Sequence, residues 1–397
     1  MNHKHVKVLH MSTIDLTIKD MLLDKMDELR ELNYTIDFLS DDTGLVTEIE
    51  GRGYRHITVS MSRKIKPLKD LISIMKIVKI LKNEKYDIVH THAAKAGVIG
   101  RIAAKIAGVK MIIHTSHGLP FYQGQSNIKN FVYKGLERMA SFFSHAYFSQ
   151  NKEDLNVIRK IVPKRIITAY EGNGIPLNKI DKHEKLATSK KAELLQNMGI
   201  NNNEFVFLMG ARFEGVKNHQ MLLRSIANLK TDRSCKFLLA GTGDELESMK
   251  LLAENLRITD KVLFLGYRED MYDLIQLCDA VILTSEKEGI PRILMEAMAF
   301  NKPVLATNVL GTKELVVHNQ TGELVELNDI EGLTETMSKW ISENYRLELE
   351  QFAKNSRERI ISEFTEAKVA ARLDVLYKDL ISKEYDINAM NERLRSY

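Results

Sequence analysis

Short β-like runs alternate with amphipathic helical stretches along this chain, and the alternation occurs twice. In the first half the strand-like runs are VKVLHM (6–11), YTIDFLS (34–40), RHITV (55–59), YDIVHTH (86–92), KMIIHTS (110–116), HAYFS (145–149) and RIITAY (165–170). Helical periodicity fills most of the gaps, around 17–32, 66–83, 95–106 and 127–143. In the second half FVFLMG (205–210), CKFLLAG (235–241), KVLFLG (261–266), DAVILTS (279–285) and KPVLAT (302–307) alternate with helices in the same way. Successive strands joined by helices lie parallel through right-handed crossovers, so the expectation is α/β, with two doubly wound domains. EGNGIPLNKID (171–181) holds two glycines, a proline and no periodicity, which marks the break. The expected division is a first domain over 1–176, a second over 177–375 and a terminal helix over 376–397 packing back on the first. Ligand loops belong at the carboxyl ends of the strands, with the two domains facing across a cleft.

A length of 397 residues suits two domains, and 44% hydrophobic with 28% charged residues describes a soluble globular chain. Cys235 and Cys278 both sit in apolar runs, which fits buried thiols in a reducing cytoplasm. The start of the chain shows no signal-peptide core, and no apolar run reaches the roughly 18–20 residues needed to span a bilayer. Charge is distributed unevenly. Residues 51–180 carry 23 Lys/Arg against 7 Asp/Glu, a net +16, whereas 1–50 and 181–397 each come to −6. Such a block suggests an anionic partner: a membrane surface, a phosphorylated lipid or nucleic acid.

EKEGIPRILMEA puts Glu288 and Glu296 on either side of a Gly-x-Pro turn that opens into an apolar helix. Pro291 suits the first helical position, and free N–H groups there attract anions. Two carboxylates placed this way can accept hydrogen bonds from hydroxyls beside a bound phosphate, or Glu296 can be a solvated helix residue. In GARFEGVKN (210–218), Arg212 and Lys217 flank a turn where two cations could clamp a diphosphate, or remain surface charges. LLAGTGDELE (238–247) lacks the third glycine of a dinucleotide fingerprint. In LFLGYRED (263–270) another strand exit offers backbone to a planar base.

Together with NKPVLATNVLGTKELV, these motifs resemble the retaining glycosyltransferases of family four, whose fold is GT-B: two Rossmann-like domains with C-terminal helices. The likeness covers roughly 205–325 in the second half. In the first half, RKIKPLKDL (63–71), YDIVHTHAAKAGVIGRIAAKIAG (86–108) and IIHTSHGLPF (112–121) resemble the branch that builds bacterial capsular and exopolysaccharides. The resemblance implies that the first domain takes the acceptor and the second the nucleotide sugar. It implies that Arg212 and Lys217 neutralise the diphosphate, and that Glu296 binds the ribose. Glu288 would face the donor sugar, with backbone N–H groups from Gly289 and Ile290. Arg268 falls where main chain meets the base, and His117 beside the reacting carbon. Many members have Phe-Gly after the first Glu-Gly, whereas Ile290-Pro291 stand here.

No cofactor is implied. His90 and His92 alternate on a strand, but no third or fourth metal ligand is evident nearby, and no Asp-x-Asp pair occurs, so no metal is expected. Scattered aromatics and the lack of a reader motif in 51–180 argue against nucleic acid. An epimerase or phosphorylase of the same fold is a further reading; nothing resembles the pyridoxal-binding lysine of the latter. The expected reaction moves a hexose or N-acetylhexosamine from a nucleotide sugar, UDP-linked by preference, to a polyprenyl-diphosphate-linked saccharide. The alternatives are a soluble small-molecule acceptor or a GDP-sugar-dependent mannosyltransferase. The expected location is peripheral, at the inner face of the cell membrane. KIKPLKDLISIMKIVKILK (64–82) reads as a helix packed on the sheet, or as one whose edge of Lys69, Ser73, Lys76 and Lys79 lies on anionic lipid, a contact also expected of Arg63, Lys64 and Lys66.

Overall fold

Seven parallel strands form the first sheet in the computed structural model, which describes residues 5–61, 66–121 and 125–382. They are β1 (Val6–Ile14), β2 (Tyr34–Asp41), β3 (Arg55–Thr58), β4 (Ile88–His92), β5 (Met111–Ser116), β6 (Ala146–Ser149) and β7 (Ile167–Tyr170). Their order is β3-β2-β1-β4-β5-β6-β7. The second sheet contains β8 (Phe205–Gly210), β9 (Cys235–Ala240), β10 (Val262–Gly266), β11 (Ala280–Leu283), β12 (Val304–Thr307) and β13 (Glu323–Val325). All are parallel, in the order β10-β9-β8-β11-β12-β13. Both sheets are doubly wound, and the strand order reverses between β1 and β4 and again between β8 and β11. Helices cover both faces of such a sheet, so β4, β5, β6 and β11 are buried along their whole length. That is why β6 and β11 read as largely apolar runs rather than alternating ones, whereas β4 and β5 begin apolar and carry buried polar residues, IVHTH and MIIHTS, toward their ends.

The chain divides into two compact units, one running to Gly174 and resuming at Glu366, the other Ile175–Thr365. The expected boundary at 375 therefore falls inside the helix Glu366–Ile381. Phe364 is buried in the core of the second unit, whereas Ala370, Leu373, Leu376, Tyr377 and Leu380 pack with Met26, Leu29, Tyr34 and Phe38 in the first. Nothing in SEFTEAK marks this crossing, because it has neither glycine nor proline to break the helical pattern.

Three smaller differences have local causes. The expected helix over 17–32 is two, Asp15–Met21 and Leu23–Glu31, with Leu22 departing from helical geometry at φ −118°. β13 was not legible because three residues are too few to show a period. In the helix Pro67–Glu84, Ser73 faces inward with Ile77 and Leu81, its hydroxyl donating to Ser60 O at 2.8 Å, instead of lining the lysine edge. Cys235 and Cys278 are both buried and unpaired, and burial pushes the Cys278 thiol up to about 12.

The first-unit core depends on a helix from the far end of the chain. Leu373→Ala is expected to destabilise that unit by about 2–5 kcal/mol through lost burial and a residual cavity. The only tryptophan, Trp340, is buried in the second unit and reports on it alone. Urea titration should move the far-UV dichroism transition that does not coincide with the Trp340 signal to lower denaturant and leave the Trp340 transition in place. A shift of both together would mean that the helix belongs to the second unit's folding.

Candidate active site

In the second unit, the loops after β8 and β11 leave the two strands that flank the order reversal, where doubly wound sheets bind ligands. The loop after β8 ends in a short 3₁₀ turn, Gly215–Lys217. Asn218, at φ 50°, then caps the helix His219–Asn228 by accepting from Met221 N–H at 3.3 Å. After β11, Thr284 Oγ1 donates to Asn218 O at 3.0 Å and Glu286 N–H donates to Val216 O at 2.8 Å, which fastens one loop to the other. This brings together residues 71 positions apart: Lys217 Nζ donates to Glu288 Oε1 at 2.5 Å, and Ser285 Oγ donates to the same oxygen at 2.6 Å.

Glu296 is the fifth residue of the helix Arg292–Ala299 and only 8% exposed; its Oε1 accepts from Arg292 Nε at 2.9 Å. Pro291 stands at the N-cap instead of the first helical position, because its ψ of 116° is extended and the helix begins at Arg292. Ile290 is buried and anchors the loop in the core, and Gly289 lies beside it. Arg212 does not join Lys217. Its side chain is 67% exposed and pairs with Glu214 at 2.6 Å. Arg268 forms a fork with Asp270, Nε to Oδ1 at 2.8 Å, which holds the Asp270 carboxyl below its usual range. The glycines of LLAGTGDELE are packing residues: at φ 151° and 154°, a Cβ on Gly241 or Gly243 would meet Ala211 O or Phe213 O at 2.0 and 2.3 Å. They let the β9 exit run directly beneath the Arg212 loop.

In the first unit, His117 follows β5 and its Nε2 lies 2.9 Å from His92 Nδ1. His92 Nε2 lies 2.9 Å from His10 Nδ1, and His10 Nε2 lies 3.5 Å from the Tyr377 hydroxyl. Tyr377 reaches His90 Nδ1 at 2.6 Å, His90 Nε2 reaches Thr115 Oγ1 at 2.6 Å, and Thr115 donates to Glu171 at 2.5 Å. Glu171 is paired with Lys25, and both side chains are buried. The alternation of His90 and His92 thus has a third imidazole, His10, directly across the β1–β4 pairing, which its isolated position in VKVLHM did not reveal. Ligand nitrogens of the three lie within 4.8 Å of one another, yet both nitrogens of each ring have partners in this chain. Lys25, Thr115, Glu171 and Tyr377 were also missed. Glu171 was read as part of the interdomain break, and no local signal links it to Lys25, 146 positions away.

Burial holds His10, His90, His92 and His114 well below the usual imidazole range. His117 is lowered to about 4, by burial first and then by the Lys25 charge, with Glu171 and the Gln150 side chain opposing. Against burial, Glu171 is held below its usual range by the Lys25 charge and by its hydrogen bonds from Lys25 and Thr115.

Two family models match the chain: "Glycosyl transferase 4-like" over residues 7–151 and "Glycosyl transferases group 1" over residues 190–359. Both matched families are glycosyltransferases, and the two matches fall one in each half of this chain. It is 28% identical over 391 residues to an Escherichia coli UDP-Gal:alpha-D-GlcNAc-diphosphoundecaprenol alpha-1,3-galactosyltransferase, covering 96% of this chain and 98% of that one. It is 29% identical over 337 residues to a Campylobacter jejuni N,N'-diacetylbacillosaminyl-diphospho-undecaprenol alpha-1,3-N-acetylgalactosaminyltransferase, covering 83% and 87%. HepE of Anabaena, solved with UDP and glucose, superposes with a TM-score of 0.80 at 21% identity over 94% of this chain and all of that one. The glycosyltransferase is thus of the GT-B fold.

The buried imidazoles make stability depend on pH. Their folded-state pKa values lie below the unfolded value of about 6.5, so the unfolded chain binds protons that the native cluster refuses. The contribution is fully present above about pH 6.5 and is lost as pH falls toward 4. Glu171 adds to the loss at lower pH, since a depressed carboxylate is also stabilising only while ionised. The dichroism transition of the first unit, the one that does not coincide with the Trp340 signal, should have a lower urea midpoint at pH 5 than at pH 7.5; equal midpoints would mean that the cluster protonates without cost.

Proposed function

We propose that this glycosyltransferase is a retaining hexosyl- or N-acetylhexosaminyltransferase that uses a nucleotide sugar, UDP-linked by preference. Its acceptor is a polyprenyl-diphosphate-linked saccharide in surface polysaccharide synthesis. The observation that carries this reading is the Lys217–Glu288–Ser285 cluster at the β8–β11 order reversal, with the nearly buried Glu296 on the helix that follows.

Leaving-group charge is stabilised by Lys217, by Arg212 once it exchanges Glu214 for the diphosphate, and by the N-terminus of Arg292–Ala299. Glu296 accepts from the ribose hydroxyls, Glu288 faces the sugar, and Gly289 and Ile290 offer backbone. The loop around Arg268 meets the base, and His117 is assigned to the reacting carbon. The acceptor hydroxyl attacks from the face the diphosphate leaves, which preserves the anomeric configuration and needs no cofactor. The names of the two relatives, both acting on sugars linked to diphosphoundecaprenol, support the lipid-linked acceptor.

A lipid acceptor requires approach to a membrane, and no helix among the described residues is long and apolar enough to cross one. The helix Pro67–Glu84 leaves Leu68, Leu71, Ile72 and Met75 exposed, with Lys66, Lys69, Lys76 and Lys79 around them. The helix Asn127–Ser141 likewise exposes Ile128, Phe131 and Val132 beside Lys129 and Lys134. Apolar side chains rimmed by lysines suit an interfacial position at the cytoplasmic face. Arg63 and Lys64, expected to contribute, lie outside the described residues.

Two measurements test the reading. Glu296→Ala should weaken UDP binding by about 1.5–3 kcal/mol if its hydrogen bonds are charge-assisted; unchanged affinity in calorimetric titration sinks the ribose assignment. Sedimentation with liposomes should require phosphatidylglycerol, fall steeply with salt, and weaken when Lys66 and Lys69 become glutamine. Equal binding to zwitterionic vesicles, or none to either, would point to a soluble acceptor.

A further inference from the structure

The histidine chain of the first unit is directional, and its direction follows from its charged end. Thr115 Oγ1 donates to Glu171 at 2.5 Å. A hydroxyl has one proton, so Thr115 must accept from His90 Nε2 at 2.6 Å, and that nitrogen carries hydrogen. A neutral imidazole has one N–H, so His90 Nδ1 is bare and accepts from the Tyr377 hydroxyl at 2.6 Å. With its proton used, the Tyr377 oxygen turns a lone pair toward His10 Nε2 at 3.5 Å, the longest step. A second lone pair there would repel it, so His10 Nε2 is protonated and Nδ1 is bare. His10 Nδ1 accepts from His92 Nε2–H at 2.9 Å, and His92 Nδ1 accepts from His117 Nε2–H at 2.9 Å. The series ends at His117 Nδ1, bare, buried and without a direct hydrogen-bond partner among the described residues, with the Gln150 side chain as the other polar group acting on the ring.

We propose that Thr115, His90, Tyr377, His10 and His92 form a tautomer-setting relay through which Glu171 holds His117 as the Nε2–H form, keeping Nδ1 as an acceptor for a ligand hydroxyl. That the hydroxyl belongs to a sugar rests on the glycosyl-transfer reading; the relay itself does not. Each member is a positioning residue, and only His117 meets ligand. A neutral relay passes on direction without adding charge, and the direct pull of the Glu171 charge on His117 toward the imidazolium is outweighed by burial and Lys25. The same argument disfavours a metal ion at His10, His90 and His92, because each bare nitrogen already accepts from a donor. A site that accepts from one particular hydroxyl rejects ligands lacking it, since the buried nitrogen would then be left unpaired.

The test reads the tautomer directly. Long-range ¹H–¹⁵N spectra of ligand-free protein labelled at histidine nitrogen, at pH 7.5, should show His117 protonated at Nε2 and bare at Nδ1, with His117→Asn supplying the assignment. Tyr377→Phe removes the relay's central hydroxyl with little change in shape, and Thr115→Val cuts it near Glu171. In each variant the Nε2–H preference should give way to a mixture of tautomers, while dichroism shows a retained fold. With UDP-sugar, Tyr377→Phe should lower kcat roughly tenfold, about 1.4 kcal/mol, with KM for the donor unchanged. An Nδ1–H tautomer in the unaltered protein, an unchanged His117 tautomer in both variants, or a stoichiometric metal ion on these imidazoles by elemental analysis would overturn the proposal. Failure of the unaltered protein to bind UDP would instead bring down the glycosyl-transfer reading alone, because the tautomer is read without ligand.

Discussion

The ion pair between Lys25 and Glu171 is the constraint on which the first unit's interior depends. Both side chains are essentially inaccessible, at 1% and 0% exposure. Removing two charges from water costs several kcal/mol per ion, and their mutual attraction alone rarely makes such a pair better than an apolar one. Its persistence is easier to understand from what surrounds it. Glu171 accepts from Thr115 as well as Lys25, and the Arg372 guanidinium donates to its backbone carbonyl. The pair thereby ties together a helix near the start of the chain, the end of β7 and the returning helix Glu366–Ile381. Four imidazoles packed nearby, His10, His90, His92 and His117, stay neutral, because burial and the Lys25 charge both oppose another cation.

The second unit solves a different problem with the same topology. Its charged groups lie at the strand exits instead of in the interior. Lys217 and Glu288 remain partly accessible, at 19% and 11%, so an incoming anion can compete for the lysine without leaving a fully buried carboxylate unpaired. The scaffold beneath them is rigid in the ways that matter: Thr284 and Glu286 fasten one loop to the other, and Gly241 and Gly243 allow close approach from a third. Anion binding and charge stabilisation both gain from such preorganisation, since little must move when charge develops. The two units therefore divide the chemistry, with neutral imidazoles in one and a compact ion pair in the other.

Alternation of strand and helix periods was enough to read every strand of both sheets except the three-residue β13, because each βαβ step is a local pattern closed by right-handed crossovers. The placement of Lys217 and Glu288 at strand exits, and of Glu296 on the helix that follows the second of them, was legible for a related reason: the topology decides where strand exits converge. What sequence determined about this protein was thus its periodic elements, their parallel arrangement and the residue types placed at their ends. Tertiary structure alone decided which of those residues meet. It set Arg212 on Glu214 instead of beside Lys217, returned the helix at Glu366 to the first core, and joined His10, His90, His92, Thr115, Glu171 and Tyr377 in one line. Those contacts span up to 367 positions, and a side chain's partner at such range is set by packing around it, to which no local period responds.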